Sequence, residues 1–189
     1  MKKKSKLNKK IFLPVNRPIV TEGDARKIYK VVKSGWISSA GPDITLFEKN
    51  LSKFVNRKYA CAVSSGTAAL EIAVKSLGLN KNDEIIMPSF TIISNAIAII
   101  KNFTKPVLVD SDLDTWNIDI KKIEKKITKK TKAILVVHQF GHPCEMNKIN
   151  KIAKKYNLKI IEDNAESIGA KFKNEIIGTK SDASTLSFF

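Results

Sequence analysis

Lys58 to Gly78 reads KYACAVSSGTAALEIAVKSLG, and its period changes halfway. KYACAVS (58–64) is short, apolar and bounded by polar residues, the pattern of a buried strand. GTAALEIAVKSLG (66–78) has apolar residues at helical spacing and stops at Gly78, a residue suited to a helix end. Strand, corner and helix make the first half of a βαβ unit, and the rest of the chain repeats it. EIIMPS (84–89) reads as a strand and TIISNAIAIIKN (91–102) as a helix. PVLVD (106–110) is a strand, with a helix within IDIKKIEKKI (118–127). AILVVH (133–138) is a strand, and EMNKINKIAKKYN (145–157) a helix with Met146, Ile149, Ile152, Ala153 and Tyr156 inward. KIIED (159–163) and STLSFF (184–189) read as the last strands. Such alternation implies right-handed crossovers and a mostly parallel sheet covered on both faces, a three-layer α/β/α fold.

Upstream, TEGDARKIYKVVKSG (21–35) reads as a helix capped by Thr21 and closed by Gly35, with Ala25, Ile28 and Val32 on one face. A second helix from Asp43 is expected to bury Ile44, Phe47, Leu51 and Phe54.

The composition is that of a globular protein: 189 residues, 43% hydrophobic and 28% charged. Cys61 and Cys144 are far apart and form no CxxC pair, so neither a disulfide framework nor a zinc site is suggested, and a reducing, cytoplasmic setting is expected. The net charge is +16, and lysine fills six of the first ten positions, a basic arm over residues 1–10. The excess is almost all Lys, with arginine only at 17, 26 and 57. Lysines also recur along every predicted helix rather than on one face, which reads as a solvated surface and not as a nucleic-acid site. IFLPV (11–15) is too short for a signal-peptide core, and FTIISNAIAII (90–100) is half a membrane span. No targeting or membrane segment is expected.

In parallel sheets, functional groups gather at the carboxyl ends of strands. SSGTAAL (64–70) lies where a strand turns into a helix. Its N–H groups, the Ser65 and Thr67 hydroxyls and the helix dipole favour an anion, and Gly66 admits close approach. The same residues could equally form a helix cap with no ligand. Asp163 in IIEDNAES follows a buried strand, where a carboxylate needs a partner. That partner could be a protonated pyridine nitrogen, or Asp163 could cap the next turn. His138 and His142 in HQFGH are four apart, but Gly141 and Pro143 argue against one helix face and no third ligand stands at a standard spacing. No metal is expected, and His138 is assigned to the polar wall of a substrate pocket.

Taken in order, SGWISSAGP, FEKNLSKF, KYACAVSSGTAAL, DEIIMPSFT, PVLVDSD, VVHQFGHPCEMNKI, IIEDNAESIGA and GTKSDASTLSFF resemble the sugar aminotransferases of the DegT/StrS type, from about Ile11 onward. GWISSAGP and DNAES look closest to perosamine-synthase-like 4-aminotransferases. The resemblance implies the large domain of a fold-type-I, pyridoxal-phosphate-dependent enzyme. Its reaction moves an amino group, via the pyridoxamine form, from an amino acid such as glutamate to a keto sugar on a nucleotide carrier. Members are usually homodimers.

By this resemblance Gly66, Thr67 and Ala68 form the phosphate turn and Ser187 completes it. Asp163 partners the pyridine nitrogen and Glu166 lies near the ring hydroxyl. Ile92 stands where many members stack an aromatic on the ring. The family's cofactor-bearing lysine would be the third residue past Phe189. Residues 11–189 are therefore expected to be a partial cofactor-binding domain, incomplete at its C-terminus and without the small C-terminal domain. Little or no activity is expected of it alone. KYACAVS would lose both neighbouring strands. The alternatives are a pyridoxamine-phosphate-dependent dehydratase relative, whose deciding residue is that same position, and a non-catalytic binding relic.

Overall fold

In the computed structural model, which describes residues 18–188, the chain divides into a short unit reaching Thr45 and a larger one from Leu46 onward. The basic arm expected over residues 1–10 lies outside the described residues. In the short unit, helix α1 (Glu22–Ser34) begins at a capping box: the Thr21 hydroxyl accepts from the Asp24 N–H, and the Asp24 carboxylate accepts from the Thr21 N–H. Gly35 ends the helix in the left-handed region, φ 78°. Helix α2 (Pro42–Phe54) follows across the division, its residues from Leu46 onward belonging to the larger unit.

The larger unit contains helices α3 (Gly66–Ser76), α4 (Ile93–Lys101), α5 (Ile120–Ile123) and α6 (Met146–Tyr156). Its strands are β1 (Glu84–Pro88), β2 (Lys105–Val109), β3 (Thr131–Val137), β4 (Lys159–Asp163), β5 (Lys171–Phe172), β6 (Glu175–Ile176) and β7 (Ala183–Thr185). Five of them form one sheet in the order β2-β1-β3-β4-β7, every pair parallel. Strand alternation sorts the side chains into two cores. Ile86, Ile134, Val136 and Ile160 pack with Ile123 of α5 and with Met146, Ile149 and Ala153 of α6. Ile85, Met87, Leu135, Val137 and Ile161 pack with Leu70 and Val74 of α3 and Ala98 and Ile99 of α4. Each fully buried isoleucine or leucine contributes roughly 1.5–3 kcal/mol. The three layers expected from the sequence are present.

Three readings are corrected. Residues 58–64 are not a strand: none of them is buried, and they join no ladder among the described residues. An apolar pattern makes a strand only where another strand takes up its backbone groups, and the described sheet offers none beside this segment. The last strand is Ala183–Thr185, shorter than STLSFF, because it pairs on one side only, over three residues of β4. Helix α2 buries no residue, and Phe47 and Phe54 are 40% and 49% exposed. The contacts on its C-terminal half are partial: Phe188 edge-on to Phe47 at 5.3 Å, and Gly169 beside Phe54. The β5–β6 hairpin was not anticipated. Lys173 and Asn174, both at positive φ, make its two-residue turn.

Candidate functional site

The carboxyl ends of the strands carry the polar groups. At the start of α3, Ser65 is the cap, its hydroxyl accepting from the Ala68 N–H at 3.1 Å. The N–H groups of Gly66 and Thr67 precede the first intrahelical bond and remain available to an acceptor. Ser187 lies directly against Gly66. A Cβ on Gly66 would stand 3.0 Å from the Ser187 Cβ and 3.2 Å from its Oγ, so only glycine leaves both residues in place. The Thr67 hydroxyl donates to Ser94 Oγ at 3.0 Å. Three hydroxyl-bearing residues from α3, α4 and the segment after β7 thus surround one helix N-terminus.

Asp163 ends β4 and is 3% exposed. Its Oδ2 accepts from Asn95 Nδ2 at 3.0 Å, and its Oδ1 from the Ala165 N–H at 3.1 Å. Burial pushes its pKa up, against the lowering effect of those two hydrogen bonds. Asp163, Ser65, Gly66, Thr67, Ser94 and Ser187 all line one open trough of about 880 Å³.

The other expected site residues fall as follows. Ile92 lines the trough, 63% exposed, just before α4. Ala68 contributes its N–H to the Ser65 cap. Glu166 is exposed, and its Oε2 accepts from the Phe140 N–H at 2.8 Å, tying the segment after β4 to the one after β3. His138 does not wall a pocket. It is 1% exposed, with Nε2 3.0 Å from Glu162 Oε2 and Nδ1 accepting from the Cys144 N–H at 3.0 Å. With Nδ1 an acceptor, the ring is the neutral Nε2–H tautomer and donates to Glu162. His142 is exposed and points to no shared ligand, and among the described residues no His, Cys, Asp and Glu cluster is placed to hold a metal ion.

Glu162 precedes Asp163 and serves the other side of the sheet. Burial raises its pKa, but hydrogen bonds from His138 and the Gly178 N–H to Oε2, with the Ser181 hydroxyl nearby, outweigh burial and the net shift is downward; its Oε1 is buried without a partner. Sequence reasoning missed Ser94 and Asn95. The available signal was a Ser-Asn pair inside the otherwise apolar TIISNAIAII: a polar pair on the buried face of a helix needs partners, and these lie on Thr67 and Asp163.

An anion cradle at one end and a buried carboxylate at the other fit a molecule with a phosphate and a protonated ring nitrogen. The Cβ-free position at Gly66 and the two N–H donors on Asp163 are the observations that make the fit. The mostly parallel sheet with its helices has the fold of the pyridoxal-phosphate-dependent aminotransferases. The chain belongs to the DegT/DnrJ/EryC1/StrS aminotransferase family, whose model matches residues 18–189. It is similar to a GDP-perosamine synthase of Escherichia coli O157:H7, 43% identical over 178 residues, covering 94% of this chain and 49% of that one. Among solved structures it matches NtdA from Bacillus subtilis with bound cofactor PMP (TM-score 0.82, 37% identity, 89% of this chain and 39% of that one). It also matches a GDP-4-keto-6-deoxymannose-3-dehydratase with bound GDP-perosamine (TM-score 0.83, 33% identity, 87% and 44%). The chain spans about half the length of the curated relatives it matches.

Proposed function

We propose that residues 11–189 form part of the large, cofactor-binding domain of a nucleotide-sugar aminotransferase that acts in the cytoplasm as a homodimer. The single supporting observation is that the Gly66–Ser187 corner and Asp163 line the same trough at the carboxyl ends of a parallel sheet. In this reading the N–H groups of Gly66 and Thr67 and the hydroxyls of Thr67 and Ser187 hold the phosphate. Asp163 holds a proton on the ring nitrogen, Ile92 covers one ring face, and Glu166 serves the ring hydroxyl. Bound pyridoxal phosphate supplies the electron sink that lets an amino group pass from one carbon to another. This chain's residues orient that group and fix its proton. The donor is an amino acid, glutamate in our reading, and the acceptor a keto sugar on a nucleotide, as the relatives' names suggest.

The likeness to the dehydratase favours a second reading, in which the same site holds the pyridoxamine form for removal of a sugar hydroxyl. Both need the same cradle. The test is a fluorescence titration of the chain with pyridoxamine 5'-phosphate. Saturable binding, weakened about tenfold or more in Thr67→Val, is the expected result. The loss of one charge-assisted hydrogen bond is worth about 1.5–3 kcal/mol. No saturation, or an unaltered affinity in Thr67→Val, overturns the proposal.

A further inference from the structure

Asn95 is fully buried, 0% exposed, on the first turn of α4. Its Nδ2 donates twice, to Thr91 Oγ1 at 2.9 Å and to Asp163 Oδ2 at 3.0 Å. Its Oδ1 is buried with no partner. Leaving an amide oxygen unpaired costs about 1–3 kcal/mol, so this arrangement persists only where the amide N–H contacts outweigh it. Turning the amide over would set Oδ1 against the Asp163 carboxylate at the same 3.0 Å, two acceptors face to face, unless Asp163 carried a proton. The orientation seen places a donor on Oδ2, the contact that favours the ionised form of Asp163.

We infer that Asn95 is a positioning residue: it keeps Asp163 ionised inside the sheet and turned so that its remaining lone pairs face the trough. This rests on the cofactor reading above only for what those lone pairs would meet. The carboxylate has one N–H on each oxygen, from α4 and from the segment after β4, and one lone pair left on each. The titratable groups around it are His138 at the end of β3, whose ring is neutral while its Nδ1 accepts from the Cys144 N–H, and Glu166 after β4, which opposes the ion. Both are committed elsewhere, His138 to Glu162 and Glu166 to the Phe140 N–H. Asn95 is thus the side chain that faces Asp163 directly.

The test is carboxyl 13C NMR of the full chain labelled at Asp, with Asp163→Asn assigning the signal, in wild type, Asn95→Leu and Asn95→Ser. The Asp163 midpoint is expected to rise by about one unit in Asn95→Leu, a tenfold change in ionisation, and to lie between in Asn95→Ser, which keeps a donor. The pH below which pyridoxamine 5'-phosphate binding declines is expected to move up with it. An unmoved midpoint overturns the inference. Should Asn95→Leu fail to fold by circular dichroism, Thr91→Val removes the second anchor of the amide and should raise the midpoint less; no rise there overturns it as well. A wild-type chain that binds no pyridoxamine phosphate ends the cofactor reading, while the NMR midpoint still decides the role of Asn95.

Discussion

Glu162 and Asp163 are neighbours at the end of β4, yet their surroundings treat them oppositely. Glu162 is closed in by His138, Gly178 and Ser181, which favour its charge enough to bring its pKa down despite burial. Asp163 has two donors and a trough beside it, and burial prevails, so its pKa goes up. The first carboxylate is a clamp that joins the loop after β3, strand β4 and the turn at Gly178. The second is kept costly, as a group reserved for a ligand would be. Strand alternation alone places them on opposite faces.

Of the changes at the two carboxylates, breaking the clamp should have the largest effect. Glu162→Ala leaves the His138 Nε2–H and the Gly178 N–H buried without acceptors, a loss of about 2–4 kcal/mol in urea unfolding. A loss below about 1 kcal/mol would mean the two carboxylates are not different in kind.

The pH dependence sharpens the contrast. For Glu162 the folded pKa is lowered, so its contribution is fully present above the unfolded value, near 4.3, and is lost as pH falls through the folded one. Wild type should gain stability relative to Glu162→Gln as pH rises from acid. For Asp163 the folded pKa is raised, so the folded state binds the extra proton between the unfolded value, near 3.9, and the folded one. As pH rises across that window wild type should lose stability relative to Asp163→Asn. The same sign for both pairs would contradict the assignment.

Gly66→Ala is the subtler probe. Alanine favours the helix by up to about 1 kcal/mol, but its Cβ would displace Ser187 from 3.0 Å. Unfolding should change by less than about 1 kcal/mol while pyridoxamine phosphate binding weakens several-fold, about 1 kcal/mol. Smallest of all, Val63→Ala, in the exposed extended segment, should stay within about 0.5 kcal/mol, unlike a core strand residue such as Leu135→Ala at about 2–5 kcal/mol.

That last pair shows what was legible. Leu135 and Val63 sit in apolar runs that look alike, and period alone cannot tell them apart. Leu135 has β1 and β4 on either side of its strand; Val63 has no ladder partner among the described residues. Pattern reading recovered β1 to β4, α3, α4 and α6, where each element has neighbours to bury it. It misplaced 58–64, overextended β7 and buried the face of α2, where that cover is lacking. At the site, strand-end position and resemblance pointed to Gly66, Asp163 and Ser187, which the structure brings to one trough. His138 was misread because its partner Glu162 lies 24 residues on, and no local pattern joins them. Asn95 was passed over although its polar side chain inside an apolar helix called for a partner, because that partner stands 68 residues away.

The central claim is that Asp163 holds a proton on the ring nitrogen of a vitamin B6 phosphate seated on the Gly66 corner. Nitrogen-15 NMR of ring-labelled pyridoxamine 5'-phosphate bound to the chain tests it directly. A protonated-ring shift that persists to higher pH in wild type than in Asp163→Asn is the predicted result. A bound ring that titrates identically in both proteins would contradict the account.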